Sequence, residues 1–82
     1  MTRIAKLYAQ AVAGRSLTFV EFCRLIEAFG YRHVRTTGSH IAYSRVDVAD
    51  TRIVQPRGKD AKAYQVRQFL DKVETLGLTM DH

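Results

Sequence analysis

The chain has 82 residues, a length that suits one small domain and leaves no room for a second hydrophobic core. Hydrophobic residues make up 46% of it and charged residues 26%, a composition that excludes a disordered or low-complexity protein. The formal net charge is +5, and the stretch from Arg32 to Arg67, with eight basic and three acidic residues, carries all of this excess. Such clustering favours a polyanionic partner, either nucleic acid or an acidic protein surface, although a charged, solvated surface would have the same composition.

Two amphipathic helices are predicted before Gly30. Thr2 can cap the first helix, which Gly14 follows at its end. The second helix begins at Thr18, whose hydroxyl can accept a hydrogen bond from the Glu21 amide while the Glu21 side chain reaches back, as in a capping box. Gly30 supplies the left-handed residue that ends this helix.

Three strands are predicted after Tyr31, because the hydrophobic period changes to about two in the segments YRHVRT, IAYSRV and TRIVQP. Gly38 and Ser39 mark the first turn between them, and the segment 47–50 marks the second. Pro56 is expected to end the third strand, because proline cannot donate to a β-ladder. These features predict a three-stranded antiparallel meander.

A third helix is predicted after the loop RGKDAKA, since apolar residues recur at helical spacing from Val66 to Leu76 and Gly77 follows. The order is therefore one extra helix, then helix–strand–strand–strand–helix. Each long helix has one apolar face to bury, so both are expected to pack on the same side of the sheet, with the other side open to solvent. The predicted fold class is α+β.

The segment TTGSHIAYSR contains the candidate catalytic residue, His40. Side-chain alternation along the second strand places His40 on the face opposite Ile41 and Tyr43. Gly38 can adopt a positive φ and so present Ser39 and His40 at the exit of a tight turn. Histidine is the side chain whose unperturbed pKa lies nearest neutrality, which suits proton transfer. A polar hairpin with an incidental exposed histidine is the alternative.

The other histidines and the single cysteine give weaker signals. His33 fits a packed or surface position in the middle of a strand, and His82 is the last residue. The spacing of Cys23, His33 and His40 matches no zinc motif, and no carboxylate cluster completes a site, so neither a metal nor a cofactor is expected. One cysteine cannot form an internal disulfide, and no apolar run approaches the roughly 20 residues that span a bilayer. The first residues also lack the apolar core of a secretory signal, so we expect a cytoplasmic protein without membrane contact.

Basic residues cluster where the third strand leads into the last helix. The N-terminal amides of a helix can attract a phosphate, so this cluster fits either a contact to an RNA backbone or a basic solvated loop. No phosphate-binding glycine motif is present in the sequence. The candidate RNA-binding residues across the chain are Arg35, Arg45, Arg57, Lys59 and Lys62.

Two long segments, FVEFCRLIEAFGYRHVRTTGSHIAYSR and IVQPRGKDAKAYQVRQFLDKVETLGL, resemble the HicA (YcfA-like) family of toxins from type II toxin–antitoxin systems. In that family a helix ending in GF or GY leads into GSH and a strand, then into a proline-containing strand end and a closing helix with VR..L. The resemblance indicates a single HicA-like domain spanning 1–82, with a core at 17–78 and an N-terminal helical extension at 1–15.

The resemblance implies a double-stranded-RNA-binding-domain-like fold and a ribosome-independent mRNA interferase, an endoribonuclease in which the histidine of GSH is catalytic. That role falls on His40, with Gly38 and Ser39 shaping the turn. It also implies a HicB antitoxin that blocks the active surface and binds operator DNA, so the toxin would meet DNA only indirectly. Many members carry a second histidine shortly after the proline, whereas here Arg57 follows Pro56, so no role for it is transferred.

Three functions remain open from the sequence. In the first, His40 takes a proton from a ribose 2′-hydroxyl, which attacks the adjacent phosphate, and Arg57 and Lys59 stabilise the developing charge without a metal. In the second, the domain binds double-stranded RNA without cleaving it. In the third, its basic face only docks an acidic protein partner.

Overall fold

The computed structural model describes residues 3–80 and confirms the α+β class. Thr2, the expected cap of the first helix, and His82 lie outside the described residues. The observed elements, in chain order, are α1 (Arg3–Val12), α2 (Phe19–Ala28), β1 (Arg32–Thr37), β2 (His40–Ser44), β3 (Arg52–Val54), β4 (Pro56–Arg57), β5 (Asp60–Ala61) and α3 (Ala63–Leu76).

Both ends of α2 have the capping residues that the sequence predicts. The Thr18 amide donates to Glu21 Oε1 at 2.9 Å, and the Glu21 amide donates to Thr18 Oγ1 at 3.1 Å. This capping box satisfies amides that would otherwise lack an intrahelical acceptor. At the other end, Gly30 follows Phe29 with a φ of +89°, a conformation that a residue with a Cβ adopts only under strain.

The core lies between the helices and one face of the three-stranded sheet. Phe69 of α3 is fully buried at its centre, with its ring 5.6 to 5.9 Å from the rings of Phe22, Phe29 and Tyr31. The edge-on geometry of these ring pairs is an arrangement that aromatic quadrupoles favour. From the sheet, Tyr43 and Val54 complete this cluster.

The first helix belongs to the same core. Leu7 and Ala11 are 4% and 5% exposed, and the Tyr8 ring lies 5.6 Å from the Phe29 ring. The helix therefore packs on the domain. Within residues 3–80, no helix is both long and apolar enough to cross a membrane.

The sheet has the predicted antiparallel order β1–β2–β3, but β1 is not a regular strand. His33 is paired with Tyr43 and Arg35 with Ala42, so Val34 is an extra residue in a β-bulge. A simple period of two over YRHVRT is therefore wrong at Val34. A bulge changes the pairing without changing the apolar pattern, so the pattern does not reveal it.

The predicted loop RGKDAKA contains a second, very short hairpin. Gly58, with a φ of +63°, and Lys59 form the turn between β4 and β5. The Phe19 amide donates to the Lys59 carbonyl oxygen at 2.9 Å, and the Ala61 amide donates to the Leu17 carbonyl oxygen at 3.0 Å, so the hairpin is joined to the start of α2. Each strand has only two residues, too few to show a hydrophobic period.

The end of the third strand also differs from the prediction. The strand β3 ends at Val54, and Pro56 begins β4 instead of closing β3. Between them, the Gln55 amide donates to Oε1 of Gln65, a buried residue of α3, at 3.2 Å. This side chain takes the place of a ladder partner and fixes the path of the chain out of the sheet.

Candidate functional site

One face of the three-stranded sheet points away from the helices, and we call it the open face. Cross-strand partners share a face of a sheet, so the register assigns its members. The residues Ile41 and Tyr43 of β2 and Val54 of β3 point to the core on the other side. The open face consists of Arg32, Arg35, Thr37, His40, Ala42, Ser44 and Ile53.

His40 is exposed at the first position of β2, on the open face, as its sequence predicts. Gly38 has a φ of +60° and Ser39 does not have a positive φ, which is the pattern of a type II′ hairpin turn. The turn pairs Thr37 directly with His40. Among residues 3–80, no side chain hydrogen-bonds the His40 ring, so both ring nitrogens are accessible to a ligand.

The bulge at Val34 places two arginines on the same face as His40. Arg32 and Arg35 are three positions apart and would lie on opposite faces of a regular strand. With the extra residue between them, both are on the open face. His33 and Thr36 are brought together on the helix side in the same way, and His33 Nε2 lies 2.7 Å from Thr36 Oγ1.

A shallow depression of about 260 Å³ lies beside His40 and is lined by Arg35, Thr37, His40, Ala42 and Ile53. Ala42 is only 3% exposed and forms its floor, whereas Ile53 is 47% exposed. Arg35 on β1 and Ile53 on β3 are both diagonal neighbours of His40, at a spacing of about 7 to 8 Å in a β-sheet. The imidazole therefore has a cation on one side and an apolar side chain on the other.

Arg45 is not part of this arrangement. Its Nη1 donates to the carbonyl oxygen of Phe29, and its Nε donates to Asp47 Oδ1 at 2.6 Å. The hydrogen bond from Arg45 lowers the pKa of the Asp47 carboxyl. Five residues of strand put Arg45 about 17 Å from His40. Its guanidinium therefore links the end of β2 to the end of α2 through the hydrogen bond to Phe29.

The other predicted RNA contacts follow β3, on the β4–β5 hairpin and at the start of α3. Arg57 and Lys59 are exposed on the β4–β5 hairpin, and Lys62 is the N-cap residue of α3. The Lys62 side chain makes no capping hydrogen bond. None of these three residues lines the depression beside His40, where Arg35 is the cation among the lining residues.

Two further titratable groups lie on the helix side of the sheet. The Tyr43 hydroxyl donates to Glu27 Oε2 at 2.8 Å, and burial raises the pKa of Tyr43 far above its usual value. Burial also raises the pKa of the half-buried Cys23 thiol. Both groups are protonated at neutral pH and support packing, and neither is on the open face.

Within residues 3–80, no three side chains of histidine, cysteine, aspartate or glutamate come together as a metal-binding group. The expectation that no metal or cofactor is needed stays a prediction.

Sequence reasoning missed Thr37 and Ile53. A two-residue turn at Gly38 and Ser39 fixes Thr37 opposite His40, so the turn type was a usable signal. Ile53 meets Ala42 across strands that a long loop connects. Such a loop leaves the register undetermined in the sequence.

Comparison with known proteins finds a matching family. The family model described as HicA toxin of bacterial toxin-antitoxin matches residues 19–75, more than half of the chain. The matched region runs from the start of α2 into α3 and includes every residue that lines the depression. No curated protein and no solved structure matches the chain.

The turn that presents His40 depends on glycine at position 38. A Cβ there would meet no atom within 4 Å, so the requirement comes from the positive φ alone. We expect Gly38→Ala to lower the free energy of unfolding by about 1 to 2 kcal/mol, and Gly38→Asn to lower it less, because asparagine tolerates this region. Urea denaturation measures both, with Ser39→Ala as the control. An alanine variant as stable as the parent would show that the turn does not need the positive φ.

Proposed function

The chain belongs to the HicA toxin family of bacterial toxin–antitoxin systems, and on that premise we propose that it is an endoribonuclease that cleaves mRNA in the cytoplasm with His40 as its catalytic residue. The observation that carries the proposal is the position of His40, exposed on the open face in a depression that also contains Arg35. An imidazole with free ring nitrogens beside a cation is suited to proton transfer next to a phosphate.

The proposed reaction is an internal transesterification. His40 accepts the proton of a ribose 2′-hydroxyl, and the 2′-oxygen forms a bond to the adjacent phosphorus. The bond from phosphorus to the 5′-oxygen breaks, and the leaving oxygen takes a proton from water. The products are a 2′,3′-cyclic phosphate end and a 5′-hydroxyl end. One positioned base contributes roughly 10² to 10⁴ in rate, so stabilisation of the phosphate charge must supply more.

Arg35 is the residue that we propose for this stabilisation, in place of Arg57 and Lys59. It lies diagonally across from His40 and forms no ion pair with any of residues 3–80. A guanidinium can bind two phosphate oxygens at once, which suits a charge that grows on those oxygens. Arg57 and Lys59, together with Lys62, are then contacts to the RNA backbone farther from the cleaved bond.

The α-β-β-β-α order favours a second candidate, a non-catalytic module that binds double-stranded RNA. Such a module contacts phosphates and reads the shape of the helix, for which no histidine is required. It would bind RNA in a salt-dependent way without breaking the strand. A subunit that only docks an acidic protein would bind RNA weakly.

We also propose that the antitoxin partner is of the HicB type and covers the open face. That face contains Arg32 and Arg35 and no acidic residue among its seven members, so an acidic surface complements it. An antitoxin in this position would keep RNA away from His40. Operator DNA would then be bound by the antitoxin and only indirectly by this chain.

The catalytic role is tested with purified, antitoxin-free protein and a defined RNA in EDTA. We expect the parent to leave 2′,3′-cyclic phosphate or 3′-phosphate ends, and His40→Ala to cleave roughly 10² to 10⁴ times more slowly. His33→Ala is the matched control, since His33 lies on the other side of the sheet, and it should retain activity. Cleavage by His40→Ala at the parental rate would contradict the proposal. Binding without cleavage by all three proteins would favour the RNA-binding module.

The antitoxin proposal is tested with the separately purified product of the adjacent reading frame. We expect it to inhibit cleavage stoichiometrically, and Arg32→Glu to weaken the complex at least tenfold, because the substitution reverses a charge on the covered face. Arg24→Glu reverses an exposed charge on α2 and serves as the control. Equal affinity of the parent and Arg32→Glu, measured by titration calorimetry, would show that the partner binds elsewhere.

A further inference from the structure

We propose that the depression beside His40 binds the base of one unpaired nucleotide, with Ile53 as the residue that contacts the base. The inference rests on the proposed ribonuclease activity and specifies its substrate class: RNA that is unpaired at the cleaved step. The order of side chains on the open face supports this inference.

Three of these side chains form one row across the sheet. Arg35 of β1 is paired with Ala42 of β2, and Ala42 is paired with Ile53 of β3. The row therefore runs from a cation, over a small floor, to an apolar side chain, a length of about 10 Å for two strand spacings. His40 lies one row away, diagonal to both ends. Each part of one nucleotide has a counterpart here: the phosphate at Arg35, the ribose at His40 and the base at Ile53.

The apolar end of the row indicates a base as its ligand. Ile53 is 47% exposed beside the candidate catalytic residue, and Ala42 next to it is a small apolar residue on the floor of the depression. Neither phosphate oxygens nor ribose hydroxyls gain from contact with such groups, whereas the face of a base is apolar and is buried favourably.

An unpaired base fits this surface better than a paired one. In an A-form duplex, both faces of a base stack on its neighbours, so no face is free to cover Ile53. Bases in single strands, loops and bulges can turn outward and pack on side chains. The substrate expected from the open face therefore differs from the duplex that the α-β-β-β-α order alone would indicate.

The charge on the open face favours RNA over an apolar ligand or a basic peptide. Arg32 and Arg35 are its charged members apart from the histidine, and it includes no carboxylate. RNA, in which bases alternate with phosphates, can contact the arginines with its phosphates and Ile53 with a base.

The test compares Ile53→Thr with the parent and with two further variants. Threonine keeps the β-branched shape and replaces apolar surface with a hydroxyl. Ile53→Val retains apolar contact and should rescue function. Val46→Thr is the control, because Val46 is an exposed β-branched residue in the loop after β2, outside the depression. Circular dichroism verifies that each variant is folded.

Cleavage of a single-stranded oligoribonucleotide is measured alone and after annealing to its complement. We expect the parent to cleave the annealed form at least tenfold more slowly. For the single strand, Ile53→Thr should raise KM about five- to tenfold, with kcat changed less than twofold, while Ile53→Val and Val46→Thr remain near the parent. A change in KM without kcat is the result expected for lost binding and not for a distorted His40.

Binding is measured separately in a His40→Ala background, so that it does not depend on cleavage. Fluorescence anisotropy follows a set of oligoribonucleotides with an abasic ribose at each position in turn. We expect one position to bind about five- to tenfold more weakly, and Ile53→Thr in this background to abolish that difference. The abasic series needs no substitution at Ile53 and therefore remains decisive if the threonine variant does not fold.

The outcomes separate the two proposals. If the parent cleaves no RNA, the ribonuclease proposal fails, and the anisotropy series still decides whether a base is bound. If cleavage depends on His40 but Ile53→Thr and the abasic series have no effect, the base-binding inference is overturned alone. Equal cleavage of single-stranded and annealed RNA also overturns it, as does an Ile53→Thr protein that loses affinity for the antitoxin but not for RNA.

Discussion

The alternation of side chains along β2 is the constraint that connects the core to the candidate site. Tyr43 points to the helices, where its hydroxyl donates to Glu27, and Ile41 packs beside it against the core. His40 and Ala42 must then point to the opposite face. A slip of one residue would put Tyr43 into solvent and the imidazole into the core. Because the burial of Tyr43 opposes that slip, the packing of the domain also fixes the orientation of His40.

The neighbours of His40 come from two different structural devices. The tight turn at Gly38 and Ser39 closes the hairpin and aligns β1 with β2. The bulge at Val34 then lets both Arg32 and Arg35 share the open face, although their spacing would separate them in a regular strand. Bulges are common beside functional sites because they redirect side chains locally without disturbing the rest of a sheet. The open face therefore combines arginines, an imidazole and an apolar end, which suit the phosphate, the ribose and the base of a nucleotide.

Much of the fold could be predicted from the sequence, because many of its features are determined by residues only a few positions apart. The capping box at Thr18 and Glu21, the glycine after α2 and the alternation of β2 are of this kind. The histidine at the turn exit could be found in the same way, and the family resemblance pointed to the same residue.

The features that sequence reasoning did not predict depend on pairing between distant segments. The bulge needs the register of β1 against β2, and the position of Ile53 needs the register of β2 against β3 across the loop 45–51. The β4–β5 hairpin is held by backbone hydrogen bonds to Leu17 and Phe19, which no side-chain pattern records. Arg45 is a basic residue that the sequence alone suggests as an RNA contact. In the structure, its guanidinium instead donates to the carbonyl of Phe29 and the carboxylate of Asp47.

RNA binding to the open face at His40 can be measured from the backbone amide chemical shifts of the protein. An oligoribonucleotide with a 2′-O-methyl group on every ribose has no 2′-hydroxyl to act as nucleophile, so it can be titrated into the isotope-labelled parent protein without cleavage. Binding at His40 predicts that the largest shifts fall in the segment from Arg35 to Ala42 and at Ile53, with little change in α1 and α2. Shifts concentrated on the helices, with the open face unchanged, would contradict it.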